Sequence, residues 1–555
     1  MSENIYTILI GGRAGEGIKK AAQVIAGLLC QAGKQVYQAD DYQSLIRGGH
    51  NFSTVSSSDE TVYAAYQDAD LIICFDHRSV EEHAGFLKPG GVLFCNSDES
   101  DLEDGAGIPM TSIMKKHYPE GSNIGIVAIA IFCAHHSIHQ YIMRNTIKQQ
   151  FKRNIAENIA FADEIYELVI KKSSEPMDHP FDHQYRFLSG NQAIGLGAYY
   201  AGLDFYFAYP MTPASSLLHY LALKKESLGI YAIHAESELA AINMAIGSAV
   251  AGCRSAVGSS GGGFALMQEA FSMAGIVEAP LLCVLTSRPG PATGVSTYTA
   301  QEDLWFAINQ GHGEFPRVVA SPDCHERAFS LAAELLSLAW EVQTPAILLT
   351  EKQLSEDMRN LHLDQTSLPE ASCLMDNCSK DYKRYAITES GISPLQFPQD
   401  CPESVVKWNS HEHFETGLRT DAAGAMIAMK DKRNRKNAVL EKATRKYQRV
   451  AVYGNGENVI FAYGSTVMEL REALKYTDSG FRIVAPIYLE PFPFEELKEY
   501  EGKAAIVVEH SSTGQFARFL QWKLKLQTKR NILKYDGRAF DPIKLANLLE
   551  EAIHA

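Results

Sequence analysis

Residues 232–263 read A-I-H-A-E-S-E-L-A-A-I-N-M-A-I-G-S-A-V-A-G-C-R-S-A-V-G-S-S-G-G-G, and this stretch decides how the chain is read. The carboxylate Glu238 is followed at once by an Ala/Gly-studded helical segment, Leu239 to Ala251. A strand-like run comes next, and then the turn Ser259-Ser260-Gly261-Gly262-Gly263. A Glu at the head of a tightly packed helix can have its ionisation set by its neighbours and by the helix N-terminus. Such a carboxylate suits the aminopyrimidine ring of thiamine diphosphate. A hydrogen bond to one ring nitrogen favours the imino tautomer, which deprotonates the thiazolium carbon. The stretch alone equally accommodates a plain helix-start Glu that complements the dipole.

Around this stretch, Ser189 to about Glu351 alternates strand-like runs, near Phe205, Ile230, Ser255, Leu281 and Ala346, with helical ones. That is an α/β pattern. Tyr209-Pro210-Met211-Thr212-Pro213-Ala214-Ser215-Ser216 follows a strand and opens a helix, where Thr212 offers a hydroxyl or merely a cap. Leu285-Thr286-Ser287-Arg288-Pro289-Gly290-Pro291-Ala292-Thr293-Gly294 sets an arginine at a strand end, where parallel sheets bind ligands. A guanidinium there can fork onto a carboxylate or stay solvated.

Ahead of this lies a first α/β unit, 1–171. It opens with the strand Tyr6–Ile10, the turn Gly11-Gly12-Arg13-Ala14-Gly15-Glu16-Gly17 and an amphipathic helix through Ala32. Further strands near 36–37, 71–75 and 91–95 predict a parallel sheet with helices on both faces. The glycine turn suits a phosphate, though it is neither G-x-G-x-x-G nor G-x-x-x-x-G-K-[ST]. Arg47-Gly48-Gly49-His50-Asn51 is a second glycine-bearing turn. Residues 172–187 read as a linker. The stretch 352–450 is long and polar, and ends in a basic helix from Asp431 to Arg449; it reads as a connector or interface segment. A last small α/β unit, 451–555, closes the chain.

With 555 residues, 46% apolar and 21% charged, the chain has room for several cores. A net charge of −15 argues against a general nucleic-acid binder. The absence of a signal core or a long apolar run predicts a cytoplasmic location without membrane insertion. Ten cysteines are scattered with no C-x-x-C, so they suit buried packing better than a self-contained iron–sulfur cluster. His411-Glu412-His413 is a poor metal pair at alternate spacing on a loop.

Taken together, Y-P-M-T-P-A-S-S, E-S-E-L-A-A-I-N-M-A-I-G-S-A-V-A-G, S-G-G-G-F-A-L-M and R-P-G-P-A-T-G resemble, in order and spacing, the α subunit of 2-oxoacid:ferredoxin oxidoreductases. G-G-R-A-G-E-G with I-R-G-G-H-N-F resembles the family's γ domain, fused here ahead of α as in the 2-oxoglutarate-type branch. R-Y-A-I-T-E-S-G-I-S-P and N-S-H-E-H-F-E-T-G resemble its connector. A-Y-G-S-T, P-F-P and V-E-H-S-S-T-G-Q resemble its transketolase-C-like domain.

The resemblance implies three α/β units: a γ domain (1–171), a thiamine-diphosphate-family pyrimidine-binding domain (189–351) and, after a connector (352–450), a transketolase-C-like domain (451–555). The implied reaction is coenzyme A-dependent oxidative decarboxylation of a 2-oxoacid, 2-oxoglutarate favoured, to acyl-CoA and CO2 with reduction of ferredoxin. Pyruvate, branched-chain and aryl-pyruvate members of the family are the alternatives, and a non-catalytic scaffold paralogue is the rival of another class. Thiamine diphosphate is shared with a separate β subunit, which holds Mg2+ and a 4Fe–4S cluster, and the assembly is a dimer of αβ units. The chain agrees by omission, with no G-D-G-and-Asn signature and no cluster set of cysteines.

By the same resemblance Glu238 is the pyrimidine-activating carboxylate, in preference to Glu236. Thr212 and Arg288 bind the substrate, and Tyr209, Pro210, Gly261 and Gly262 line the cofactor. Three departures stand out: Gly262 where the branch has proline, Ser511-Ser512 where it has an Asn-bearing stretch, and a less compact opening glycine loop. The last puts a coenzyme A role for the γ domain in doubt.

Overall fold

The computed structural model describes residues 5–43, 49–100, 105–118, 123–170, 181 and 183–554. Arg47 and Gly48 of the second glycine turn, and most of the 172–187 linker, lie outside the described residues. The fold is mixed α/β with three sheets, and the chain divides into two compact units. One comprises Met1–Leu188, Asp357–Leu361 and Asp541–Lys544; the other comprises Ser189–Glu356, His362–Phe540 and Leu545–Ala555.

The first unit carries an eight-stranded sheet. Tyr6–Arg13 pairs in parallel with Ala69–Cys74, which pairs in parallel with Leu87–Asn96. The sheet is not parallel throughout, as the strand–helix alternation predicts. His50–Ser58 runs antiparallel to both Tyr6–Arg13 and Gln35–Asp41. The reason is chain length: residues 42–49 are too few for a parallel crossover, which needs roughly a dozen residues or more, so the two strands return as a hairpin. The helix Ile126–His135, I-V-A-I-A-I-F-C-A-H, is buried from Ile126 through Ala134 and fills the core under Ile18–Gln31 and Ile155–Val169.

In the second unit a seven-stranded sheet has the order Tyr488–Glu490, Val318–Ala320, Pro345–Glu351, Leu281–Ser287, Ser255–Ser259, Phe205–Ala208, Tyr231–His234. All pairs are parallel except the antiparallel edge strand Tyr488–Glu490. That edge strand is the continuation of Phe481–Pro486, which belongs to the unit's five-stranded sheet. Phe264, Leu285 and Ile347 therefore share one apolar cluster with Phe461, Val484 and Phe516.

The polar stretch after Glu351 is mostly irregular up to the helix Ala423–Thr444. That helix starts and stops earlier than the basic pattern predicts, because A-G-A-M-I-A-M-K ahead of Asp431 is itself helix-forming. Two devices fix the stretch. Arg384 is buried, donates to the Val277 and Glu278 carbonyls and lies 4.0 Å over the Trp408 ring. Cys378 and Cys401 form a disulfide, where the sequence reading has packing cysteines only. Among the described residues, no helix is long and apolar enough to cross a membrane.

Candidate functional site

Four neighbouring parallel strands of the seven-stranded sheet, 231–234, 205–208, 255–259 and 281–287, all end on one edge. Every sequence-predicted site residue follows one of those carboxyl ends, where ligands of open α/β sheets bind. Glu238 comes four residues after His234, Tyr209 directly after Ala208, Gly261 two after Ser259, and Arg288 directly after Ser287.

Glu238 is the first residue of the helix Glu238–Val250, and Ser237 caps that helix by accepting from Ala240 N at 3.2 Å. The carboxylate is buried, whereas the rival Glu236 is exposed. Among the described residues its Oε1 has no hydrogen-bond partner, an unusual state for a buried carboxylate oxygen. Gly263 packs directly on it. A Cβ at that position would lie 2.6 Å from Glu238 Oε1 and 2.7 Å from its Cγ, and closer still to Ser259 Oγ. At Gly262, by contrast, a Cβ would meet only the Ala292 carbonyl oxygen at 3.6 Å. Proline is therefore missing from a place with room for a side chain.

Thr212 and Arg288 come together across the edge. Arg288 Nη1 donates to the Thr212 carbonyl oxygen at 2.6 Å. The Thr212 loop is held from below by buried Asn191, whose Nδ2 donates to the Pro213 carbonyl at 3.0 Å. Burial lowers the Arg288 guanidinium from its ordinary value, opposed by Asp303. Tyr209 is 40% exposed beside His234, and Pro210 is partly buried.

Asp303 escapes the sequence reading. Ser287 Oγ donates to its Oδ2 at 2.8 Å, and its carboxylate occupies the space where Gly261 would carry a Cβ. Burial, aided by Glu302, lifts its carboxyl to about 6 against the opposing effects of Ser287 and Arg288. Only its position after the glycine/proline turn could have signalled it.

The remaining motifs have structural partners. Glu412 forks onto Arg433 at 3.1 and 2.7 Å, and His413 Nδ1 faces the His411 carbonyl, so this set does not converge on a metal. In V-E-H-S-S-T-G-Q, Glu509 accepts from Phe516 N and Ala517 N, and His510 Nε2 pairs with Glu469 at 2.9 Å. The opening glycine turn borders a cavity of about 630 Å³ in the first unit, lined among others by Gly15, Gly17, Lys19 and Asn51.

Comparison with known proteins bears on the family of the chain. Residues 196–430 match the family model "pyruvate flavodoxin/ferredoxin oxidoreductase, thiamine diP-bdg", and residues 7–168 match "pyruvate ferredoxin/flavodoxin oxidoreductase". The chain is 30% identical to a 2-oxoacid:ferredoxin oxidoreductase subunit alpha of Sulfolobus sp, over 98% of this chain and 96% of that one. It is 26% identical to the subunit alpha of 2-oxoacid:ferredoxin oxidoreductase 2 of Aeropyrum pernix, over 99% and 97%. Among solved structures, the 2-oxoglutarate:ferredoxin oxidoreductase of Magnetococcus marinus, with 2-oxoglutarate, coenzyme A and succinyl-CoA bound, superposes with a TM-score of 0.88. That similarity runs at 28% identity over 100% of both chains.

Proposed function

The chain belongs to the 2-oxoacid:ferredoxin oxidoreductase alpha-subunit family, and from that premise we propose that it works in the coenzyme A-dependent oxidative decarboxylation of a 2-oxoacid, 2-oxoglutarate foremost, to acyl-CoA and CO2 with reduction of ferredoxin. The observation that carries this reading is Glu238, a buried carboxylate on the carboxyl edge with one oxygen unpartnered. That oxygen and the open space beside Gly262 fit the flat aminopyrimidine of thiamine diphosphate, with Tyr209, Pro210 and Gly261 completing its surroundings.

When bound, thiamine diphosphate supplies a carbon nucleophile for the keto carbon and an electron sink for the loss of CO2. Glu238 holds the proton shared with a ring nitrogen, and burial keeps water from competing for it. Arg288 commits one donor to the Thr212 carbonyl and so fixes that loop; the rest of its fork pairs with the substrate carboxylate. Thr212 adds its hydroxyl at the keto or carboxylate end.

A β subunit completes the site in this proposal, holding diphosphate, Mg2+ and the 4Fe–4S cluster in a dimer of αβ units in the cytoplasm. Support comes from apolar side chains on the segments that carry the site, since Leu239 after Glu238, Leu266 on the helix of Gly261–Gly263 and Val295 after the Arg288 turn are each about half exposed. Surfaces of that kind mark protein contacts. The preference for 2-oxoglutarate is supported by the Magnetococcus marinus enzyme and by similarity to a 2-oxoglutarate synthase subunit of Archaeoglobus fulgidus, at 26% identity over 66% of this chain.

The test is an anaerobic pull-down of the tagged chain from its host, assayed for coenzyme A-dependent viologen reduction with 2-oxoglutarate, pyruvate and 2-oxoisovalerate. A co-eluting brown partner and turnover of 2-oxoglutarate are expected. A colourless, inactive chain would favour the scaffold paralogue.

A further inference from the structure

In the first unit, the strand His50–Ser58 and the helix His77–His83 bring three ligand atoms together. His50 and His83 are both buried, with their Nε2 atoms 2.8 Å apart, and Glu82 Oε2 lies 3.5 Å from His50 Nε2. Among the described residues, these form the one group of three or more His, Cys, Asp or Glu side chains whose ligand atoms all lie within 4.8 Å of one another. We propose that His50, Glu82 and His83 bind a single divalent transition-metal ion of the zinc class.

The donor set, two imidazoles and one carboxylate, is one that zinc and its first-row neighbours accept. At a zinc–nitrogen distance of roughly 2.0–2.1 Å, tetrahedral ligand atoms stand about 3.4 Å apart. Glu82 and His50 already have that spacing, and the two rings need to part by only about 0.6 Å. The facing Nε2 atoms now lie at hydrogen-bonding distance from one another.

The surroundings hold the ligands in place. The Phe52 ring packs 4.7 Å from His83 and 6.0 Å from His50, centroid to centroid. Gly11 leaves room for His83, whose Cδ2 would lie 3.2 Å from a Cβ there. Arg78 Nε holds Glu82 Oε1 at 2.6 Å, leaving Oε2 toward His50. Buried Asp76 adds negative charge nearby. A cavity of about 270 Å³, lined by Arg13, Gly49, His50, Asp76, His77 and Arg78, lies beside His50, and a tetrahedral ion held by three residues keeps one position for an exchangeable ligand. Three protein ligands with one open position is the pattern of a reactive rather than a sealed zinc site.

Affinity follows from what the site lacks. Among the described residues neither Nδ1 has a hydrogen-bond acceptor, and such outer partners typically strengthen binding about 10–100-fold. Binding should therefore be weaker than at a zinc site whose imidazoles are held by such partners. The ion would tie the start of His50–Ser58 to the helix His77–His83. Because Asn51, Phe52 and Ser53 of that strand line the larger cavity, occupancy would also fix that cavity's wall.

The test titrates the full chain, stripped of metal by a chelator, with Co2+ and then Zn2+. One equivalent of Co2+ should give a visible ligand-field band that Zn2+ displaces. His83→Ala and Glu82→Gln should each weaken Co2+ binding at least tenfold. Zn2+ should raise the thermal midpoint of the wild type but not of either variant. Glu82 is 41% exposed, against buried His83, so Glu82→Gln keeps the test valid if His83→Ala fails to fold. No ligand-field band, or a band of unchanged affinity in Glu82→Gln, would overturn the assignment.

Discussion

Replacing Gly263 with alanine puts one methyl group where Glu238 now lies. The new Cβ would start 2.6 Å from Glu238 Oε1 and 2.7 Å from its Cγ, against ordinary contact at 3.4 Å or more. The carboxylate must therefore retreat by about 0.8 Å, or the backbone must give, because Ser259 blocks the other side; such overpacking costs about 1–3 kcal/mol. A displacement near 1 Å at a group that positions the reacting atoms costs on the order of 100-fold in rate. Gly262→Ala is the matched comparison, with the same helix and the same added methyl but only the Ala292 carbonyl oxygen, 3.6 Å away, to meet. In the proposed αβ complex, coenzyme A-dependent viologen reduction should drop about 100-fold in Gly263→Ala, and far less in Gly262→Ala, with both proteins folded by circular dichroism. A Gly263→Ala enzyme with more than half the wild-type turnover would refute the packing of Glu238 against Gly263.

Arg288→Ala should raise the 2-oxoacid KM about ten- to a hundredfold, the equivalent of one charge-assisted pair at roughly 1.5–3 kcal/mol; an unchanged KM would take Arg288 out of the site. Asp303 has a folded pKa of about 6, raised above its unfolded value, so the wild type loses stability as pH rises from roughly 4 through 6. Asp303→Asn should remove that slope and raise the thermal midpoint at pH 8 but not at pH 4, by an amount equivalent to about 2–3 kcal/mol; equal midpoints at pH 8 would contradict it. Buried Glu278 faces Lys432 at 2.7 Å and Lys436 at 2.5 Å. Burial opposes its ionisation, yet these lysines and Arg384 hold its carboxyl well below the usual range, so its contribution is present above about pH 4.3 and is lost as pH falls. Glu278→Ala should cost about 3–5 kcal/mol, read as a lowered thermal midpoint at pH 7, because it strands buried cations.

The parts of this protein legible in its sequence were those set by local pattern. Alternating strands and helices gave the fold class, and glycine and proline turns after apolar runs marked the sheet edge that carries Tyr209, Thr212, Glu238 and Arg288. What escaped depended on distant pairing. The hairpin between Gln35–Asp41 and His50–Ser58 was readable only from the length of its connection, which the strand–helix alternation masked. Asp303 sits in Q-E-D-L-W with no motif around it, and its role comes from Ser287 and Gly261 brought over by the fold. Cys378 pairs with Cys401 rather than with its nearer neighbour Cys373. The ion pairs of Glu278 with Lys432 and Lys436 likewise span more than 150 residues, beyond any periodicity.

The account rests on the carboxylate of Glu238, and its most direct test is the turnover of Glu238→Ala in the proposed αβ complex with 2-oxoacid, coenzyme A and ferredoxin. The account predicts an intact complex in which 2-oxoacid-dependent ferredoxin reduction is abolished, because the proposed proton exchange with the aminopyrimidine runs through this carboxylate. A variant that keeps more than about a tenth of the wild-type rate, a loss of less than about 1.4 kcal/mol of transition-state stabilisation, would contradict it.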